Sequence, residues 1–378
     1  MISKYVSEPT TDIIVVGGGL AGCLTAVAAA RRGRNTVLVE SRSYLGRELT
    51  ATLRPWASCP GVEAAPTHLK PVFFPDGEAE EIDVDLDALP AWCGNEHPLF
   101  CGSIKKGLLD LLQTEGVTVL FMTHVAGVLM QDATVTGVLL ANKHGVQALR
   151  ARTVVDATEG GGVASLAGVS SAQNAALRRY TIGFTNVAIP HTPELAVPQS
   201  IGVVGNAVRV HAGKNRSCNA YVEFTFEPDA PPHASLAALS AIEQQARRLA
   251  MDVAAHLIDT VPEFGPATIA ELAAETIADA PGENTAPARL PQGLLTVPSC
   301  LSVAPEAAHW AKLEAATATS ATEALAAAES APRPDPNHTV IRFGDVNVPL
   351  SACRISSFED TSLALALESI EFVDTSAV

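Results

Sequence analysis

The chain changes its hydrophobic period in blocks. Ile13–Val16 is a short, β-branched apolar run that ends in Gly17-Gly18-Gly19-Leu20-Ala21-Gly22. An alanine-rich, proline-free stretch follows, and a second apolar run, Thr36–Val39, stops at Glu40. This order predicts strand, glycine turn, helix and strand. Gly102–Gln113 has helical spacing before the helix stop Gly116, and Val117–Phe121 reads as a strand. Val125–Met130, Thr134–Ala141 and Gln147–Ala151 predict a three-stranded antiparallel meander. Thr153–Ala157 reads as a further buried strand, running into Asp156-Ala157-Thr158-Glu159-Gly160.

Later blocks are more mixed. Phe73-Phe74 reads as a strand entering a turn, and Tyr180–Val187, Ile201–Val210 and Tyr221–Phe226 as strands. Helical spacing covers Ala234–Thr260, and Ile269–Ile277 and His309–Glu329 are also read as helical. A proline-rich linker, 332–337, leads to the strand-like stretch His338–Ser356 and a final apolar helix or strand, Ser362–Val373.

The opening block carries the most specific chemistry. Strand, glycine turn, helix, strand and terminal acid form a dinucleotide-binding βαβ unit. Gly17 permits a tight turn, Gly19 lets backbone approach a pyrophosphate, and Gly22 lets the helix pack closely on the sheet. The helix start at Leu20 and Ala21 offers free N–H groups and partial positive charge to an anion. Glu40 stands where ribose hydroxyls are read; the carboxylate would repel a 2′-phosphate, which argues against NADP. Arg42, Arg47 and Arg54 follow in a segment that passes a bound pyrophosphate, and Arg47 is the stronger candidate to pair with phosphate.

Composition narrows the alternatives. With 378 residues, 47% of them hydrophobic, the chain is long enough for one large or two ordinary domains. A formal net charge of −16 with no long basic tract argues against nucleic acid and anionic membranes as partners. Ile13–Ala30 is uncharged, yet its central glycines suit a strand–turn–helix rather than a membrane span. Asp12 before it argues against a signal peptide. Seven scattered cysteines without CxxC spacing point to neither a disulfide framework nor zinc, so a reducing cytoplasm is expected. The acids from Glu78 to Asp87 match no calcium loop, and no metal site is expected.

Three segments in this order, VVGGGLAG with Glu40, ESRSYLGRE and VVDATEGGGVASLAG, make the chain resemble the FAD-dependent oxidoreductases of the glutathione-reductase-like superfamily. The resemblance covers roughly residues 10–170. It implies an α/β fold: an FAD/NAD(P)-binding Rossmann-like domain with a three-stranded β-meander, plus a mixed α+β second domain. It also implies FAD as cofactor, held by Gly17, Gly19, Leu20, Ala21, Gly22, Glu40, Ser41, Arg47, Ala157, Thr158 and Gly160. Val125 would lie in the strand whose backbone reads adenine. The expected organisation is a cofactor domain over 1–170 with an insertion at about 57–100, a substrate or interaction domain over 171–330, and a C-terminal segment, 331–378, returning to the cofactor domain.

The likeness weakens toward the C-terminus. Such flavoproteins close the cofactor site with an apolar strand ending in Gly-Asp or Gly-Arg and a helix start. Ile341–Asp345 is the nearest candidate, but it reads better as part of a hairpin turning at Gly344-Asp345. The arginine-rich segment of the family is missing from 272–284. No catalytic base stands out; His191, His211, Arg178 and Arg179 are the residues that could face a small-molecule substrate. Two functions are therefore expected: hydride transfer from a small metabolite to flavin, alone or as one subunit of a hetero-oligomer, or a non-catalytic nucleotide-binding subunit supporting a catalytic partner chain.

Overall fold

The computed structural model describes residues 11–57, 69–73, 90–169, 177–215, 218–229, 237–279, 290–297, 319, 322–328, 339–343, 346–349 and 356–357. The chain opens with β1 (Thr11–Val16), α1 (Leu20–Ala30), β2 (Thr36–Val39) and the single-turn α2 (Arg47–Thr50). Short strands β3 (Trp56–Ala57) and β4 (His97–Pro98) lie on either side of a second single turn, α3 (Lys70–Phe73). Next come α4 (Cys101–Thr114), β5 (Thr118–Leu120), β6 (His124–Gln131), β7 (Thr134–Asn142), β8 (Gly145–Asp156) and α5 (Gly162–Leu166).

A second group follows: β9 (Arg178–Thr185), β10 (Glu194–Ala196), β11 (Ala207–Asn215), β12 (Cys218–Phe226), α6 (Ala238–Thr260), β13 (Thr268–Leu272) and β14 (Ile277–Ala278). The last described strands are β15 (Leu294–Thr296), β16 (Thr339–Phe343), β17 (Val346–Pro349) and β18 (Ser356–Ser357).

One long strand ties the first group together. The C-terminal half of β8 joins a parallel sheet in the order β5–β2–β1–β8–β15, while its N-terminal half pairs antiparallel with β7 in the meander β8–β7–β6–β16–β17. Val16 lies opposite both Val39 and Asp156, so the ends of β1, β2 and β8 finish level. Everything that follows those strands therefore emerges on one edge, the usual ligand edge of an open parallel sheet.

Both faces of that sheet are buried. Ile13 and Val15 pack with α1 and α4 on one side, and Ile14 and Val16 pack with the meander and α5 on the other. This explains why the strand reads as an unbroken apolar run rather than an alternating one. Each such side chain contributes roughly 1.5–3 kcal/mol by leaving water.

The second sheet is antiparallel, in the order β10–β11–β12–β9–β13, with β14 also on β9. α6 covers it with Ile242, Ala246, Ala250, Val253 and Leu257, all fully buried at helical spacing. Alanines at the contact let helix and sheet approach closely.

The structure departs from the sequence reading in four places. Gln147–Ala151 and Thr153–Ala157 are not two strands but the continuous β8. Phe73 ends a helical turn, not a strand. Thr268–Leu272 is a strand paired with β9, although a helix is expected over Ile269–Ile277. Its β-branched Thr268 and Ile269 suit a sheet edge, and five residues are too few to hold a helix without tertiary help. Ile201–Val210 is a strand only from Ala207, where β11 starts, after two short 3₁₀ turns ending at Ile201 and Asn206.

β15 sits beside β8 at Leu294–Thr296, and a helix over 322–328 packs Ala324 into the first core. The closing-strand candidate, Ile341–Phe343, pairs antiparallel with β6 at the meander's outer side, and β15 takes the place beside β8. Gly344-Asp345, the acids Glu78 to Asp87 and Ser362–Val373 lie outside the described residues, as does most of His309–Glu329.

Candidate cofactor site

The glycine turn is shaped first by its own backbone. Gly17 has φ +107°, and a Cβ there would stand 2.6 Å from the Ala157 carbonyl oxygen. A Cβ on Gly22 would overlap the Gly17 carbonyl. These two glycines let α1 start directly against β1 and β8. Gly19 differs: its φ of −69° is ordinary, and a Cβ there would overlap Oε1 of Glu48.

Glu40, at the end of β2, is buried, and its two oxygens are occupied by the chain itself. Oε2 accepts the Gly18 N–H at 2.6 Å; Oε1 accepts the Arg42 N–H at 2.8 Å and the Ser41 hydroxyl at 3.1 Å. Arg42 adds an ion pair to Glu40 at 3.1 Å and a second to Glu275 at 2.6 Å. Burial works against the Arg42 charge, yet these two glutamates hold its pKa above the ordinary value. The carboxylate thus faces the glycine turn, as a ribose reader must, inside a net of local donors.

Arg47 and Glu48 are neighbours on α2 with opposite partners. Arg47 reaches Glu275 at 3.0 Å through Nε, donates to the Thr276 carbonyl at 3.2 Å and pairs with Glu159. Its Nη1 is buried without a partner. Glu48 turns the other way and accepts the Leu20 N–H at 3.2 and 3.1 Å, capping α1. Burial raises the Glu48 pKa, opposed by backbone hydrogen bonds and by Arg47. Sequence reasoning missed Glu48, Glu159 and Glu275. Glu48 could have been found: an acid one residue after Arg47, in the segment beside the glycine turn, has only that turn to face.

The second turn is held by Asp156. Its Oδ1 accepts the Thr158 hydroxyl at 2.6 Å and N–H at 3.0 Å, and its Oδ2 accepts the Ala164 N–H at 2.8 Å. The Thr158 oxygen in turn accepts the Gly162 N–H at 2.7 Å, so Thr158 is engaged within the turn. Burial pushes the Asp156 carboxyl up, and those donors oppose it. Gly160 has φ +85°, which suits the reversal into α5. The Ala157 N–H bonds to the Val16 carbonyl at 2.9 Å, joining the two turns.

These residues surround a cavity of about 390 Å³ whose walls include Gly17, Gly19, Glu40, Arg47, Val125 and Thr158. Of the expected site residues, Gly17, Gly19, Glu40, Ser41, Arg47, Val125, Ala157 and Thr158 line it; Leu20, Ala21, Gly22 and Gly160 do not. The volume lies toward the small end of the roughly 300–1,000 Å³ typical of ligand pockets. A dinucleotide's adenosine end suits this edge: an acid for the ribose, a glycine turn, strand backbone at Val125 and an unpartnered guanidinium nitrogen nearby. Glu48 occupies the α1 N-terminus where the diphosphate would sit, and Glu159 and Glu275 pair with Arg47.

A second buried polar cluster links the β3 segment to the second sheet. His211 on β11 stacks on Trp56 at 3.8 Å and bonds Glu96 through Nδ1 at 2.8 Å, leaving Nε2 buried and unpartnered. Arg54 pairs with Glu223 on β12 at 2.5 Å. Despite burial, His211 and Arg209 hold the Glu96 carboxyl below its ordinary range, and Arg54, His211 and Arg179 do so for Glu223. His191 is exposed; Arg179 pairs with Asp279 and Glu223, and Arg178 with Glu159 at 3.8 Å. No metal-binding group of His, Cys, Asp and Glu occurs among the described residues, and no described helix is long and apolar enough to cross a membrane.

The family model described as FAD dependent oxidoreductase matches residues 12–181. No curated protein matches the sequence. Among solved structures, a geranylgeranyl bacteriochlorophyll reductase-like protein from Thermoplasma acidophilum is similar at 16% identity and TM-score 0.56, over 85% of this chain and 78% of that one. OxyS anhydrotetracycline hydroxylase from Streptomyces rimosus is similar at 15% identity and TM-score 0.54, and aklavinone-11 hydroxylase, solved with FAD and aklavinone, at 17% and 0.52. Each covers 85% of this chain, which spans 63% of their length. At these identities the likeness to the three structures is one of fold. The stretch that matches the FAD dependent oxidoreductase model, residues 12–181, contains the glycine turn, Glu40 and the Ala157-Thr158 turn that line the cavity.

Proposed function

We propose that the protein oxidises a small organic metabolite by hydride transfer to FAD. The observation that carries this reading is the level edge of β1, β2 and β8, where the glycine turn, Glu40 and the Ala157-Thr158 turn share one cavity. In it, Gly17 and the α1 N-terminus hold the diphosphate, Glu40 and Ser41 the ribose, and the Val125 backbone the adenine. When bound, FAD supplies the hydride acceptor. The chain's own part is to orient it, exclude water and move a proton.

Anaerobic mixing of the flavin-loaded protein with panels of hydroxy acids, amino acids and amines tests the reading. Bleaching of the flavin band by one class supports it, and no bleaching by any small reductant argues against it. A second reading, a nucleotide-binding subunit that serves a catalytic partner chain, draws on the acids around Arg47. Glu159 and Glu275 already neutralise the charge that a phosphate would use. Turnover only after adding a co-purifying chain would favour it.

A further inference from the structure

Glu48 has no role in the reading above, and its position conflicts with the diphosphate. It rises from α2 to the start of α1, where Gly19 offers no side-chain cap, and takes the Leu20 N–H with both oxygens. It also fills the face that Gly19 leaves open, the space a phosphate oxygen needs for close approach. The side chain is 5% exposed, so this carboxylate is a built-in contact rather than a surface charge. A second observation points to an incoming anion. Arg47, one residue away and lining the same cavity, keeps a buried Nη1 with no partner although its other donors are engaged.

We propose that Glu48 is a resident stand-in for the cofactor's diphosphate, which the incoming dinucleotide displaces with uptake of one proton by the Glu48 carboxylate. The proposal rests on FAD being the cofactor. Two anions cannot share one helix N-terminus in a buried site, so the carboxylate has to leave, be neutralised, or both. The groups facing it are Glu40 at the end of β2, Cys23 on α1, and Arg47 on α2, with Arg42, Glu159, Glu275 and Arg178 behind. Glu40 disfavours a second negative charge, and burial already raises the Glu48 pKa. The proton comes from solvent and no bond other than O–H forms.

The sign follows directly. If Glu48 is ionised in the free chain and neutral in the complex, affinity falls as pH rises, by up to about tenfold per pH unit. Titration calorimetry of the full chain with FAD, ADP and adenosine, in two buffers of different ionisation enthalpy, counts the protons. The expected result is uptake approaching one proton for FAD and ADP, none for adenosine, and none for Glu48→Gln. At pH 8, Glu48→Gln should bind ADP at least about tenfold tighter than the parent. Glu48→Ala, which only empties the space, should move the same way, and thermal melting of both variants guards against misfolding.

Proton uptake that persists in both variants, or folded variants that bind ADP no more tightly, would overturn the proposal while leaving the FAD site standing. If neither the parent nor the variants bind FAD or ADP, the cofactor assignment fails, and the proposal with it.

Discussion

At the edge of the parallel sheet the buried acids Glu48 and Asp156 face backbone N–H groups, whereas near the second sheet Glu96 and Glu223 face an imidazole and guanidinium groups. The first pair is raised in pKa and the second lowered. Backbone donors offset burial only in part; a full positive charge at hydrogen-bond distance more than offsets it. The contrast separates two uses of buried charge. The second cluster is closed: each acid has its cation, and the contacts fasten β3 to the second sheet. Glu48 is the open member of the first pair, because its donor, the Leu20 N–H, belongs to a helix end that can serve another anion.

The largest test of this contrast removes a cation from the closed cluster. Arg54→Met leaves Glu223 buried without its nearest partner and should lower unfolding stability by about 3–5 kcal/mol in denaturant titrations. A loss under 1 kcal/mol would mean that the cluster is hydrated. Acid should find the same weakness. Glu96 and Glu223 stabilise the fold above the ordinary glutamate pKa, and that contribution is lost as pH falls through their lowered values. Glu48 and Asp156 contribute most below it and lose that contribution as pH rises. Hydrogen exchange from pH 7 down to about 3 should therefore deprotect β11 and β12 before β1 and β8. The reverse order would break the comparison.

Smaller changes sharpen it. Gly17→Ala forces a side chain into a left-handed backbone 2.6 Å from the Ala157 carbonyl and should cost about 1–3 kcal/mol by thermal melting. An equally stable variant would show that the turn can relax. At the bottom of the scale, Arg31→Ala loses an ion pair to Glu115 near the surface, at 2.6 Å, worth roughly 0.2–1 kcal/mol. A larger effect would mean that partly exposed pairs here count like buried ones.

Much of the cofactor half was legible because its signals are local. Ile13–Val16, the glycines and Glu40 fall within thirty residues, and strand, turn and helix each leave a pattern there. The meander was legible for the same reason, but the continuity of β8 was not, since its two halves change partners at Arg150-Ala151 without any breaker residue. β15 was missed because Leu294–Thr296 is only three residues long and gains its place from β8. Ile341–Phe343 has the stronger apolar pattern, yet it serves the meander. The ion pairs of the site were out of reach: Glu275 meets Arg47, and Glu223 meets Arg54, across more than 160 positions of chain. No periodicity reports such a contact.

On the proposed function, the level edge of β1, β2 and β8 holds FAD with Glu40 at the ribose. FAD binding to the flavin-free chain, followed by quenching of flavin fluorescence, tests it in the parent and in Glu40→Ala. About one FAD per chain is expected for the parent, and a loss of affinity of at least about tenfold for a folded Glu40→Ala, matching one good charge-assisted contact. Unchanged affinity in Glu40→Ala would contradict it.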